Sequence, residues 1–213
     1  MKIIIVYDNE ALQEGLKADW GFSCLIEPEN GQRILFDTGA SGSILLHNLE
    51  RLNIDPCAIP EVFISHAHWD HTGGLLDLLK LNKEVKVYIP SSCPKPPGAG
   101  KVISITGPVQ IHENVFSTGE LNGIEQSLVI RAREGLAVIT GCSHPGVKAI
   151  LQAASSLGKV DALIGGLHGF REFDLLRDLK LVCPCHCTQF KSEIRRLYPE
   201  KCLDCGAGKV LEI

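Results

Sequence analysis

The chain has 213 residues, 45% of them hydrophobic and 22% charged, with a formal net charge of −4 and a pI near 6.1. That length suffices for a substantial buried core, while the mild acidity leaves no electrostatic footprint for nucleic acid. Residues 3–6 form an apolar run far too short for a signal peptide or a membrane span, so no membrane attachment is expected. Nine cysteines, an odd number with five of them in residues 183–213, and no export signal point to reduced thiols in the cytoplasm.

In chain order, residues 3–6 read as a first strand. Residues 22–27 and 32–37 flank Pro28-Glu29-Asn30-Gly31, a hairpin signal in which Asn-Gly supplies the positive φ angles of a tight turn. Asp37-Thr38-Gly39 closes the second arm, and a helix follows with Ile44, Leu45, Leu49 and Leu52 on one face. Glu61-Val62-Phe63-Ile64, bounded by Pro60, reads as a short buried strand. Directly after it comes Ser65-His66-Ala67-His68-Trp69-Asp70-His71-Thr72-Gly73-Gly74. His66 and His68 point the same way if the backbone stays extended, and Asp70 and His71 fall at the start of a helix marked by Leu75, Leu76, Leu78 and Leu79.

Val85-Lys86-Val87-Tyr88-Ile89 alternates as a strand, and residues 90–100, with four prolines and two glycines, form a loop of the kind that covers active sites. Short β runs continue to Gly119. Residues 127–131 and 136–140 make a second hairpin around Arg133-Glu134-Gly135. After Gly141-Cys142-Ser143-His144-Pro145-Gly146, helices are predicted over 147–157, 172–180 and around 194–198. Strands are predicted at 160–164, running into Gly165-Gly166-Leu167-His168, at 181–185 and at 209–213. No repeat, low-complexity tract or linker interrupts this order, so residues 1–213 read as one domain, with helices on the outer faces of two packed sheets.

The histidines carry the chemistry. His47 and His112 lie in a helix and a β segment without ligand neighbours and read as ordinary residues. His66, His68, His71, His144, His168 and His186 each follow an apolar strand-like run, so one sheet edge can gather them. Three histidines and an aspartate within residues 66–71 crowd polar groups that a purely structural role would leave unpaired; the pattern predicts metal ligands. Imidazole and carboxylate donors suit Zn²⁺ first, with Mn²⁺ and Fe²⁺ as alternatives. Such a cation brings the pKa of water from 15.7 to about 7, which makes ester or phosphodiester hydrolysis the default chemistry.

His66-x-His68-x-Asp70-His71, with His144 and His186 following, resembles the metal-binding signature of the metallo-β-lactamase fold superfamily. Leu35-Phe36-Asp37-Thr38-Gly39, Thr140-Gly141-Cys142-Ser143-His144-Pro145-Gly146, Gly165-Gly166-Leu167-His168 and His186-Cys187-Thr188 are similar to one branch of it. That branch contains the dihydropterin-type synthase of methanopterin biosynthesis. The resemblance implies an α/β (α+β) fold, a four-layer αββα sandwich, with two divalent metal ions between the sheet edges. It places His66, His68 and His144 on the first metal and Asp70, His71 and His186 on the second, with Asp70 also the catalytic carboxylate that accepts a proton. The aspartate that bridges the metals in most of the superfamily is missing; the chemistry of His168 places it at or near that position, as a ligand or as a support to the ligands. Asp37 corresponds to the buried aspartate that fixes the histidine loop; the alternative is a helix N-cap.

The expected function is therefore a metallo-hydrolase acting on a small phosphorylated or ester-containing, pterin-like metabolite, with no nucleic-acid partner. The alternatives are a nuclease of the same fold and a metal-binding or redox-sensing protein without turnover. Cys185, Cys187, Cys202 and Cys205 are candidates for a small structural metal site or a redox pair, against the commoner outcome of buried free thiols. Cys142 reads as small-residue packing beside His144. Trp20 and Phe22 read as core, with lining of the pocket as the alternative.

Overall fold

Strands that are apolar at nearly every position must be buried on both faces, and that requirement sets the architecture. The computed structural model describes residues 1–29 and 31–213; Asn30, half of the expected Asn-Gly turn, lies outside the described residues. The first sheet contains β1 (Lys2–Tyr7), β2 (Ser23–Glu27), β3 (Ile34–Phe36), β4 (Glu61–Phe63), β5 (Lys86–Pro90) and β6 (Lys101–Ile105). Its order is β13-β1-β2-β3-β4-β5-β6, where β13 is Val210–Glu212. The second sheet contains β7 (Val109–His112), β8 (Val115–Ser117), β9 (Leu128–Arg131), β10 (Leu136–Thr140), β11 (Val160–Gly166) and β12 (Leu181–Cys185), in the order β12-β11-β10-β9-β8-β7. Both sheets are mixed: β3 to β6 run parallel, as do β10 to β12, and the remaining pairs are antiparallel.

The period of two along each strand divides its side chains between two cores. Ile3 and Ile5 of β1 join Ile26, Phe36 and Phe63 in the layer between the sheets, facing Leu128, Ile139 and Ile164 of the second sheet. Ile4 and Val6 point outward, to Leu45 and Leu49 of α1 (Gly42–Arg51) and Leu78 of α3 (Leu75–Leu81), which follows the single turn α2 (Trp69–Thr72). The outer face of the second sheet is covered by Ile150 of α4 (Val147–Ser155) and Ile194 of α5 (Lys191–Leu197). The result is helix, sheet, sheet, helix: the αββα sandwich.

Some expectations shift. The alternation in residues 85–89 is not buried against exposed. Val87 and Ile89 face the helices and Tyr88 faces the second sheet, so both sides are covered. The helix expected over 172–180 is a single 3₁₀ turn, Phe173–Leu176. Its apolar residues Leu176 and Leu179 are buried, but the Lys180 amide donates to Asp161 O at 2.7 Å, which draws the chain into β12 before a second turn can close. Tertiary pairing overrides a weak local preference there.

His112 is not isolated either. The fully buried Glu61 carboxylate of β4 accepts from Lys86 Nζ at 2.7 Å and Tyr88 OH at 3.1 Å, and its other oxygen meets His112 Nε2 of β7 at 2.6 Å, so one acid ties the two sheets together. Burial pushes the Glu61 carboxyl up, but Lys86 and His112 outweigh it and hold the group below its usual range. A carboxyl depressed by folding contributes stability that is complete above its unfolded value of about 4.3 and is lost as pH falls through the folded value. Glu61→Gln should therefore cost about 2 kcal/mol in urea melts at pH 7, and the gap from the wild type should narrow steadily below pH 4.5. A gap that widens on acidification would refute this role.

Candidate metal centre

The strand ends of both sheets meet along one edge, and the chain's histidines gather there. After β4 the backbone stays extended through His68 (φ −67°, ψ 146°) and then turns into α2, which carries Asp70 and His71. Gly73 and Gly74 separate α2 from α3 because the Asp37–Ala40 turn crosses directly against them. A Cβ at either glycine would collide with the carbonyl of Ala40 or Thr38. The same turn holds the loop from the other side: Thr38 N and Oγ1 both donate to His71 O, at 2.8 and 2.9 Å.

Two donor sets result. The rings of His66, His68 and His144 form a triangle with centroids 4.6–4.8 Å apart and planes 74–84° from one another. His66 Nε2 and His68 Nδ1 lie 3.1 Å apart. His144 Nε2 is buried and has no hydrogen-bond partner among the described residues. Burial, reinforced by the neighbouring imidazoles, drives the His66 pKa far down. The second set is Asp70, His71 and His186: Asp70 Oδ2 is 3.1 Å from His186 Nε2 and 3.8 Å from His71 Nε2. Burial opposes ionisation of Asp70, but His186 and His71 more than offset it and keep the group a carboxylate. An orphaned imidazole nitrogen facing two further rings, beside a carboxylate facing two more, is a donor set that fits divalent cations.

Three buried acids hold these groups in place without joining them. Asp37, fully buried, accepts Ser65 N and Ser65 Oγ at 2.7 Å each and pairs with His71 Nδ1 at 2.7 Å. It does not cap α1, whose N-cap is Ser41. Glu125 accepts the backbone N–H groups of Gly141, Cys142, Ser143 and His144 at 2.9–3.1 Å. Asp8 accepts His186 N at 2.8 Å, and Asn9 Oδ1 lies 2.9 Å from His186 Nδ1. The backbone is unusual at the same places: Asp37, Ser143, His168 and His186 have φ between 45° and 62°. Non-glycine residues rarely enter that region, and such conformations cluster at functional sites.

All of His66, His68, Asp70, His71, His144 and His186 converge. His168 lies at the rim: it is exposed, its ring centroid is 4.8 Å from that of His144, its Nδ1 contacts Cys187 Sγ at 3.1 Å, and its donor atom, Cys187 Sγ and Cys142 Sγ lie within 4.8 Å of one another. The residue that lies between the sets is Cys142, with Sγ 3.2 Å from His71 Nε2 and 3.3 Å from Cys187 Sγ. Contact with Cys187, together with burial, pushes the Cys142 thiol up. The same contact, helped by His186 and His168 and opposed by burial, brings Cys187 down to about 5.

Of the four candidate C-terminal cysteines, two meet. Cys185 and Cys205 are joined as a disulfide across a Cα separation of 5.2 Å, well within reach of such a bond. This departs from the expectation of reduced thiols throughout. Cys187 turns to Cys142 instead, and Cys202 lies against α5 near Arg195. Phe22 is core, but Trp20 is not. It is 48% exposed, donates Nε1–H to Asp70 Oδ2 at 2.9 Å, and packs edge-on to His186 at 4.9 Å. Sequence gave no sign of Glu125, which sits in an apparently featureless loop. Asp8-Asn9 offered one: an acid directly after an apolar strand, as at Asp37.

A model of the metallo-beta-lactamase superfamily matches residues 21–147, and the chain belongs to that superfamily. Its members are often metal-dependent hydrolases, and the fold typically binds divalent metals. The chain is 29% identical over 241 residues to the 7,8-dihydropterin-6-methyl-4-(beta-D-ribofuranosyl)-aminobenzene-5'-phosphate synthase of Methanocaldococcus jannaschii, covering 81% of this chain and 82% of that protein. An uncharacterized protein of the same organism, MJ0448, is 27% identical over 239 residues, covering 89% and 91%. Among solved structures, Tm1679, described as a metal-dependent hydrolase of the beta-lactamase superfamily, superposes with a TM-score of 0.82 at 28% identity over 100% of this chain and 99% of that one. Among the described residues no helix is long and apolar enough to cross a membrane.

Glu125 generates a prediction that needs no metal. Glu125→Gln replaces an acceptor-only group with one that presents N–H to N–H, and should cost about 3 kcal/mol in chemical denaturation. Hydrogen exchange at the amides of residues 141–144 should accelerate first. Unchanged protection there would rule out the strut.

Proposed function

We propose that this protein is a metallo-hydrolase with two divalent cations, most readily Zn²⁺, one held by His66, His68 and His144 and the other by Asp70, His71 and His186. The observation that carries this reading is the buried His144 Nε2, unpartnered, at the apex of a triangle of imidazoles brought from two different sheets. An uncharged ring nitrogen left without a partner in a protein interior costs about 1–3 kcal/mol; a cation removes that cost. The cations would supply Lewis acidity toward a water and toward an ester or phosphoryl oxygen.

The chain's own groups supply the rest. Asp70 uses Oδ2 toward His186 and Trp20, and its carboxylate takes the proton released by the attacking water. Trp20 Nε1–H fixes the rotamer of that carboxylate and narrows its access to solvent. Asp37 and Asn9 accept from the Nδ1–H of His71 and His186, which leaves each Nε2 lone pair directed inward. Beside the site, a groove of about 260 Å³ lies between α3 and the 91–100 loop, lined by Ala67, Thr72, Leu76, Cys93 and Pro96. Its mainly apolar lining with one cation, Lys95, and the exposed indoles of Trp20 and Trp69 (48% and 63%), suit a small metabolite that joins a flat ring to a phosphate or ester. The likeness to the dihydropterin-related phosphate synthase supports a pterin-like compound.

Protein stripped with a chelator and reloaded with Zn²⁺, Mn²⁺ or Fe²⁺ should bind two ions per chain and hydrolyse a chromogenic phosphodiester or members of a panel of phosphorylated metabolites. Asp70→Asn should lower kcat by at least about 100-fold while the fold, followed by circular dichroism, stays intact. Catalysis that survives chelation, or a chain that retains no metal, would defeat the proposal.

A further inference from the structure

One further donor atom, the sulfur of Cys142, adjoins both sets. Its sulfur and the donor atoms of Asp70, His71 and His186 all lie within 4.8 Å of one another, and the same limit holds for its sulfur with His66 and His144. We propose that the Cys142 thiolate is the protein ligand common to both cations, so that this centre is bridged by sulfur rather than by a carboxylate. The inference rests on the two-cation reading above.

The carboxylates of the region leave that role open. Asp37 and Glu125 spend their oxygens on backbone amides, Ser65 and His71, and Asp8 on the amides of Glu10 and His186. Asp161, on the strand leading to His168, lies at the opposite end of β11, paired with Lys159 and Lys180. Two divalent cations about 3.5–4 Å apart would then face Asp70 alone. An anion between them relieves their repulsion, and the acidic group standing there is a thiol, 2% exposed. On coordination it releases its S–H proton to solvent, sulfur–metal bonds form, and nothing is oxidised or reduced.

The surroundings are built for a sulfur at this point. Glu125 accepts the Cys142 amide and so fixes the direction of its side chain. Gly141 lets the end of β10 come against the histidine strand, for a Cβ there would overlap Ser65 and approach His66 Nδ1 to 3.1 Å. Gly166 opens the space behind, where a Cβ would press on Cys187 Sγ at 2.7 Å. Cys187 thereby reaches Cys142 Sγ at 3.3 Å, backed in turn by His168 at 3.1 Å. His168 thus acts on the centre through two sulfurs. A bridging thiolate also selects metals: it favours Zn²⁺, Fe²⁺ or Co²⁺ over Mn²⁺.

X-ray absorption of the two-zinc wild-type protein tests this. A bridge places a sulfur at about 2.3 Å from each zinc, so the average is one sulfur per zinc; a terminal Cys142 would give half that. The two-cobalt protein should show a near-ultraviolet thiolate-to-cobalt band that Cys142→Ser abolishes and Cys187→Ser retains. Cys142→Ser should also fall from two metals per chain to one. Two metals with half a sulfur or none per zinc, or a cobalt band indifferent to Cys142→Ser, would overturn the bridge and leave the hydrolase reading standing. A chain that binds no metal would overturn both. The zinc spectrum needs only wild-type protein, so a misfolded variant does not blunt the test.

Discussion

The site depends on a charge that is kept out of it. Asp37 is fully buried at the end of β3, with φ of 53°, and its two oxygens hold Ser65 twice and His71 once. Burying a carboxylate costs several kcal/mol before its partners are counted, and burial accordingly raises its pKa even with His71 and Ser65 opposing. The contacts to Ser65 and His71 offset part of that cost. What they achieve is geometric: β3, β4 and α2 are locked into one unit, so His66, His68, Asp70 and His71 have their backbone positions set before any ligand arrives.

The same device recurs at the other strand ends. Glu125 gathers four consecutive amides of the turn that carries Cys142 and His144, and Asp8 holds the amide of His186. Each acid fixes a turn containing a residue of positive φ, a conformation that costs about 1–3 kcal/mol and persists only where its surroundings over-determine it. The turns that carry the candidate donors are thus tied down by buried carboxylates and hydrogen bonds made within the chain itself. Stability invested in these struts supports the position of side chains that, among the described residues, are themselves poorly satisfied, His144 above all.

This division explains what could be read from the chain. The strands, the helices over 42–51 and 147–155, and the histidine cluster follow from local rules: apolar runs, periodicity, and too many imidazoles in too few residues. So does the convergence of His144 and His186, since each follows a strand. The struts do not. Glu125 looks like any loop glutamate because its partners are the backbone of residues 141–144, and no side-chain pattern records them. Trp20 was expected in the core because indole is mostly apolar, yet its one N–H found Asp70, fifty positions away. Cys142 read as a small packing residue, and only the meeting of two sheets places its sulfur against His71. His168 is a candidate by its chemistry, and its position beside His144 and Cys187 depends on the turn after β11, which no local pattern records.

Residues 185–187 show how much one turn can separate. Cys185 is bonded to Cys205, His186 faces Asp70, and Cys187 faces Cys142, although the three are consecutive. An extended strand alternates only two directions; the third comes from the positive φ of His186 at the strand end. The disulfide therefore anchors the base of the turn to the segment before β13, Asp8 and Asn9 grip its apex, and Cys187 leans on the neighbouring turn of the same sheet. A side chain restrained on all three sides can meet a partner from the opposite sheet at a fixed distance. That restraint is what a centre assembled from two independently packed sheets requires, since a shift of either sheet against the other would otherwise separate His186 from Asp70 and Cys142 from His71.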